Sequence, residues 1–491
     1  MKKLISLFLL ACALGSTILS CGGNGGGSAD TTAAADPAVT ETAADETTLP
    51  SYDYPDVDLN GYTARYLNSA AVWEMYIYLD FEEMTGDALD DMVYTRNRAV
   101  EQKLNFNIKV TEEKFDDLDT RIQTSVLAGS DDFDACYVPD RDSAPLVTGG
   151  LFYNLHGIPE LRLDEEWWDQ PVIDGMTVYD KLFYATGDLN LMAFDGTWCL
   201  FFNKAMMADL GLDEPYDLVE EDRWTLDALY SYMKPAANLN GDDDFTLTVN
   251  SNQIYGLSAF YNSVTKMLFG CGIKYVDKND KGELTFMPEM ERFFKVCDKI
   301  APMLGGNDGA YANATTGAVE KNSYLYLFMN ERALFLAGEI KAGLQMRANE
   351  VDFGLVPYPK FDEQQEGHHS NMVDRVLVFC IPTTNPDPSK IGVITDALSG
   401  ESVYTTLPVY FDTHVSTKGL RDERSIDMLA IIRATRDVDM SVPYNWCASL
   451  NTGIQNLLLA GNSSVASTVE SARSAVEQKI ADTMEIFAEL N

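Results

Sequence analysis

After Asn60 the polar and apolar positions change period repeatedly, and each change marks an element. Tyr62-Thr63-Ala64-Arg65-Tyr66-Leu67 alternates as a strand does. From Asp87 onward, Leu89, Met92, Val93, Arg96, Val100, Lys103 and Leu104 recur near the helical period. Phe106-Asn107-Ile108-Lys109-Val110 reads as a second strand. A helix over about 115–127 follows, with Leu118, Ile122 and Val126 on one side, and then Phe133-Asp134-Ala135-Cys136-Tyr137-Val138 as a third strand. The order is βαβαβ. Right-handed crossovers in that order build a parallel sheet covered by helices, and ligands of such sheets lie beyond the carboxyl ends of the strands. Here those ends are 68–74 and 139–142.

A second α/β region begins at the strand-like Leu200-Phe201-Phe202-Asn203, which leads into a helix through Leu210; Trp224 to Met233 reads as another helix. From Ser464 to Leu490 the pattern is helical again, opened by serines that can cap it. Terminal helices of this kind commonly lie across a domain.

The start of the chain has a different pattern. Lys2 and Lys3 precede an apolar run from Leu4 to Leu14, and Ile18-Leu19-Ser20-Cys21 follows. The run is too short to span a bilayer permanently. It resembles a bacterial lipoprotein signal, which implies a signal peptide over 1–20 and a lipid-modified Cys21. Stable anchoring takes more than one acyl chain, and such cysteines usually carry a diacylglycerol on sulfur and a further acyl chain on the amine. Residues 22–55 are rich in Gly, Ala, Thr, Asp and Glu and have no aromatic residue before Tyr52, so this stretch is expected to be a disordered tether. Its mean reach is on the order of 30 Å.

Composition narrows the partners. The chain is 46% apolar and 11% aromatic over 491 residues, ample for a large core split between two domains. It carries 36 basic against 76 acidic residues, a formal charge of −40. Such a field repels phosphate backbones and anionic headgroups, which argues against nucleic acid as a partner and leaves membrane attachment to the lipid. Of eight cysteines, six lie beyond Cys21, none in a CxxC pair and most in apolar surroundings, which reads as buried thiols. A Cys271–Cys297 disulfide is also open to an exported chain.

The chain resembles the extracellular solute-binding proteins of ABC importers, especially the carbohydrate-binding group that includes maltodextrin-binding proteins. The resemblance rests on Lys181-Leu182-Phe183-Tyr184-Ala185-Thr186-Gly187, Leu200-Phe201-Phe202-Asn203-Lys204 with Leu210-Gly211-Leu212, and Arg223-Trp224-Thr225-Leu226-Asp227-Ala228-Leu229. Tyr255-Gly256-Leu257, Arg332-Ala333-Leu334-Phe335-Leu336-Ala337-Gly338 and Phe353-Gly354-Leu355-Val356-Pro357-Tyr358-Pro359 complete it. It departs at an acidic insertion from Asp213 to Asp222. The resemblance implies a two-lobed α/β fold of the periplasmic-binding-protein type (type II) with a hinge and an interlobe cleft. Lobe 1 would combine 56–190 with 335–395 and lobe 2 would combine 191–334 with 396–491. It also implies a monomer that captures a sugar or oligosaccharide and hands it to separate permease subunits, with no cofactor.

A pyranose offers a flat C–H face to an aromatic ring and a rim of hydroxyls to planar polar groups. The residues expected at strand ends or crossing segments are Trp73, Glu74, Asp140, Arg141, Asp188, Asn190, Trp198, Tyr261, Glu339, Asp374, Arg375 and Trp446. Against each stands a plainer role. Trp198 adjoins an apolar strand and can be core, the carboxylates can be surface groups, and Arg375 can pair with Asp374. Trp446 sits in a loop-like Pro443-Tyr444-Asn445-Trp446, whereas Trp167-Trp168 reads as a cap on a surface helix.

Metal signals are faint. Asn238 to Asp244 spaces oxygen ligands as calcium loops do, but Asp243 stands at the usual glycine and Val249 at the usual glutamate. His368-His369 lacks a convincing zinc set, and 362–370 reads as an exposed loop. No GxSxG, GxxxxGK[ST] or HExxH occurs, so no catalytic residue is assigned. Two carboxylates suffice for a glycosidase, so a surface glycan hydrolase stays open, as do a non-transport adhesin and a peptide or other polar ligand.

Overall fold

The computed structural model describes residues 51–491 except 73–76, 238, 242–246, 249, 280, 307, 315–322, 347–348, 350, 373, 413–422 and 491, and except the side chain of Asp142. Cys21, Trp73, Glu74 and the core of the calcium-like stretch therefore lie outside the described residues.

The βαβαβ unit forms as its periodicity predicts. Strand β1 (Tyr62–Ser69) runs parallel to β2 (Phe106–Glu113) and β3 (Ala135–Pro139), with Tyr62 opposite Phe106 and Tyr66 opposite Ala135. The helix Ala88–Leu104 between β1 and β2 starts where the Asp87 carboxylate accepts from the Leu89 N–H, and it buries Leu89, Val93, Val100 and Leu104. It ends at Asn105, whose left-handed backbone turns the chain into β2.

A second sheet holds β4 (Trp198–Asn203), β5 (Tyr255–Phe260), β8 (Tyr311–Ala314), β9 (Ala333–Glu339) and β10 (Phe353–Val356) in the order β10-β4-β9-β5-β8. Strands β6 (Val276–Lys278) and β7 (Leu284–Phe286) form a separate antiparallel hairpin. Beyond them, β11 (Ser370–Asn371) pairs in parallel with β13 (Arg436–Asp437). Strand β12 (Leu377–Cys380) rejoins the first sheet antiparallel to β3, giving the order β12-β3-β1-β2.

This topology moves the expected lobe boundary. The chain was expected to return to the first lobe near 335, yet β9 and β10 lie in the second sheet and the return comes only at β12. The reason is pairing: Trp198 lies opposite Glu339 and Asn203 opposite Phe353, so β4 takes both later strands as neighbours. The helix Pro388–Tyr404, expected to fall partly in the second lobe, packs throughout on Ala88–Leu104 and on the turn Pro159–Leu161 of the first body. The terminal helix Ala466–Glu489, expected to lie across one domain, touches both β7 and the helix Asp140–Thr148 of the first body.

The acidic insertion folds into a short helix, Tyr216–Glu220, docked on the second sheet. Gly354 in β10 is required there, because a Cβ would run into the Tyr216 hydroxyl and the Phe202 ring. Other expectations are corrected. The Cys271–Cys297 disulfide open to an exported chain is not formed; both are free, and the six described cysteines are buried thiols, as their apolar surroundings predict. The stretch 362–370 is an exposed loop only in part: Glu363, Gln364, Glu366 and Gly367 are exposed, but Gln365, His368 and Ser370 are buried, the Gln365 amide donates to Gly270 O at 2.9 Å, and His368 Nδ1 meets Tyr358 O at 3.0 Å. Burial holds the His368 imidazole down at about 4, so it is neutral. Trp167 and Trp168 are also buried; their indole N–H groups reach the Asp396 carboxylate at 2.7 and 3.3 Å instead of capping a surface helix.

Candidate functional site

Among the described residues, the segments 190–197 and 371–376 carry the chain between the two sheet bodies. The first and second run together, through a bridge between Thr197 and Met372. Next to them opens a narrow recess of about 20 Å³, room for little more than a water molecule and well below the volume of a small-molecule site. Its polar wall is Asp140, Asn371, Asp374, Asp437 and Asp439, and its apolar wall is Met176, Met372, Val438, Val442 and Pro443.

Asp140 stands where the fold rule places a ligand, directly after the carboxyl end of β3. It is 6% exposed, and its Oδ1 accepts from the Arg141 N–H at 2.6 Å. Burial pushes its carboxyl up to about 7, with the Asp374 carboxylate adding to the rise, against the Arg141 and Arg375 N–H groups and Lys266. Asp374 behaves oppositely. Burial raises it, but the Lys266 ammonium at 2.7 Å outweighs that and holds it below the ordinary range. Asp437 is held down in the same way, by His369 at 3.5 Å and Lys274 at 2.7 Å. Asp439 spends its oxygens on the N–H groups of Tyr275, Val276 and Ser441.

The expected site residues separate into two groups. Asp140 and Asp374 line the recess, and Arg141 lies close enough to lower Asp374 electrostatically. Trp198 and Glu339 are cross-strand partners, and Lys266 lies 5.9 Å above the Trp198 ring, which links that pair to Asp374. Tyr261, at the end of β5, is 49% exposed, with its ring edge-on to Phe260.

The second group is occupied within the fold. Asp188 is buried with both oxygens on Arg433, at 2.5 and 2.7 Å. Asn190 caps the helix Leu191–Asp195 and donates to Leu377 O at 2.6 Å. Trp446, expected in an open loop, is 5% exposed and stacked on Tyr444 with centroids 4.8 Å apart. Trp198 is 1% exposed, its core alternative. Arg375 pairs with Asp116 at 3.1 Å and covers the Phe115 ring, and no ion pair with Asp374 forms.

The recess also includes residues the pattern did not single out. Lys266 had one visible signal, a lone charge inside Val264-Thr265-Lys266-Met267-Leu268-Phe269, where burial demands a partner. Asp437 and Asp439 had only their alternation with Val438 and Met440.

Residues 86–343, just over half of the chain, match the family model described as "Bacterial extracellular solute-binding protein". The chain belongs to this family. Among solved structures, this solute-binding protein is similar to a cyclo/maltodextrin-binding protein complexed with maltotetraose: 13% identity, TM-score 0.58, covering 85% of this chain and 97% of that one. A sugar transporter from Rhizobium etli in an open conformation gives 16% identity, TM-score 0.58 and coverages of 85% and 99%. The maltose-binding periplasmic protein of Listeria monocytogenes in complex with maltose gives 14%, 0.56, and 86% and 98%. No curated protein matches in sequence. At these identities the structures establish the fold alone, the two-lobed α/β fold of solute-binding proteins. The family consists of binding proteins, not enzymes. Among the described residues no helix is long and apolar enough to cross a membrane.

Proposed function

We propose that this solute-binding protein is held outside the membrane by lipid on Cys21, captures a sugar or oligosaccharide between its two bodies, and presents the closed form to the permease of an ABC importer. The observation that carries the reading is the recess at the crossing segments, where a strand-end carboxylate of the first body, Asp140, meets Lys266-held Asp374 from the segment joining the two sheets. Planar carboxylates suit a rim of hydroxyls, and Tyr261 offers the exposed ring a pyranose can stack on. Trp73, Glu74, Arg141 and Glu339 complete the proposed contacts. Because such a solute touches both bodies only when they close, its differential affinity shifts the open and closed populations, and the importer reads closure.

Two experiments test this. Calorimetric titration of the detergent-solubilised full chain with a panel of maltodextrins, other oligosaccharides and peptides is expected to give saturable binding to a sugar recovered intact. Cleaved ligand would point to a hydrolase instead, and binding to peptides alone would overturn the sugar class. Cys21→Ala is expected to abolish labelling by an alkyne palmitate analogue and to release the protein from the membrane fraction; continued labelling would overturn the anchor.

A further inference from the structure

Lys266 lies in the helix Ser263–Gly270, and its side chain is 3% exposed. An ammonium withdrawn from water needs acceptors for all three of its N–H groups. Here it has them: Asn371 Oδ1 at 2.5 Å, Asp374 Oδ1 at 2.7 Å and Met372 O at 3.1 Å. The three acceptors belong to one short strap, the segment that carries the chain from β10 of the second sheet to β12 of the first, and the same three residues line the recess. The next residue, Arg375, has φ +70, a conformation that a side chain of its size adopts only when its surroundings impose it. Its guanidinium is drawn the other way, to Asp116 and the face of Phe115 in the first body. The strap is thus held from the second body by one lysine and reaches the first through its own arginine, to Asp116 and Phe115.

We infer that Lys266 is a positioning residue for ligand capture: it fixes Asn371, Met372 and Asp374 in the wall of the recess and ties the strap to the second body. The inference rests on the reading of the recess as the ligand site. Without Lys266 the strap has no other cation from that helix, and among the described residues Asp374 is left facing Asp140 with Arg141 as the cation that still lowers it. The other groups around Asp140 are the Tyr184 phenol and, across the recess, Asp437 and Asp439. Asp437 stays paired with Lys274 and His369, so Lys266 is the cation whose loss Asp140 feels most.

The full chain and its Lys266→Met variant are compared by hydrogen exchange without ligand and by calorimetry with maltotetraose over pH 5–9. The variant is expected to exchange at least tenfold faster in peptides spanning 370–377, with 135–139 and 198–203 unchanged. It is also expected to bind maltotetraose at least tenfold more weakly, with the midpoint of the pH profile moved upward as Asp140 loses a cation. A loosened core alone would not move that midpoint. Asp374→Asn, which keeps an acceptor oxygen but removes the charge that Lys266 pairs with, is expected to shift the same peptides in the same direction by less, and it serves if Lys266→Met does not fold. Unchanged strap exchange in both variants overturns the inference, as does faster exchange with unaltered affinity and midpoint. Failure of the wild-type chain to bind maltotetraose counts against the ligand reading alone, and the strap exchange then decides the role of Lys266.

Discussion

Asp169→Ala is expected to lower stability by about 3–5 kcal/mol, because it strands a buried guanidinium. Asp169 and Arg436 are 2% and 3% exposed at their side chains and meet at 2.7 Å. A few residues away Arg433 grips Asp188, and both guanidiniums lie over the Phe194 ring, at 4.4 Å for Arg436 and 5.5 Å for Arg433. Two aspartates from the first body therefore balance two arginines from the end of the helix Glu423–Ala434 and from β13, around an aromatic ring of a crossing segment. Removing one aspartate leaves the cluster with a net positive charge in a place water does not reach. Desolvation is the reason that pairing matters there, and the same reasoning says that the intact pair adds little over an apolar substitute. The double variant Asp169→Ala with Arg436→Met should accordingly recover most of what the single variant loses. Thermal melts of the four proteins in this cycle decide it. If the double variant is as unstable as the sum of the two singles, the cluster does not act as a neutral unit.

That cluster shows where the amino-acid pattern stops being informative. The first sheet was legible because its crossovers are local: Leu89, Val93, Val100 and Leu104 share one helix face, and β1, β2 and β3 follow one another in the chain. β9 and β10 were misassigned because strand pairing depends on partners more than a hundred residues away, and an apolar strand such as Ala333–Glu339 looks the same in either sheet. Site residues met the same difficulty. Asp140 could be placed from the end of a strand, whereas Asp188 looked equally free until Arg433, far along the chain, appeared beside it. Trp446 sits in a turn, yet a turn can be buried: it stacks on Tyr444, which packs in turn on Phe487 of the terminal helix. Lys266 was legible only as an anomaly, a charge in an apolar stretch, whose meaning depended on a strap over a hundred residues downstream.

Asp195→Asn is expected to stabilise the protein relative to wild type as pH rises, by about 2–3 kcal/mol between pH 5 and pH 8. Asp195 ends the helix Leu191–Asp195 in the first crossing segment and is 2% exposed. Its Oδ1 accepts from the Tyr410 hydroxyl at 2.6 Å, in a cluster where Tyr410 and Phe411 pack on Phe194. Burial pushes its carboxyl up to about 7, a rise that the Tyr410 hydrogen bond and Lys341 only partly oppose. In the unfolded chain the same group titrates near ~3.9. Below that pH both states hold the proton and the contribution to stability is complete. Between about 4 and about 7 the unfolded chain has released the proton while the folded chain keeps it, so stability falls with rising pH, and above the folded value the contribution is gone. Asparagine keeps an acceptor for Tyr410 and does not titrate. Any cost of fitting its amide is the same at every pH, so the informative quantity is the change in the difference between the two proteins. Asp140 also titrates near 7, but it does so in both proteins and cancels. Melts at pH 5, 6.5 and 8 should therefore diverge, with the variant gaining at each step. Parallel curves would mean that Asp195 is ionised in the folded protein across this range, and that the crossing segment holds a charge its surroundings are not built to accept.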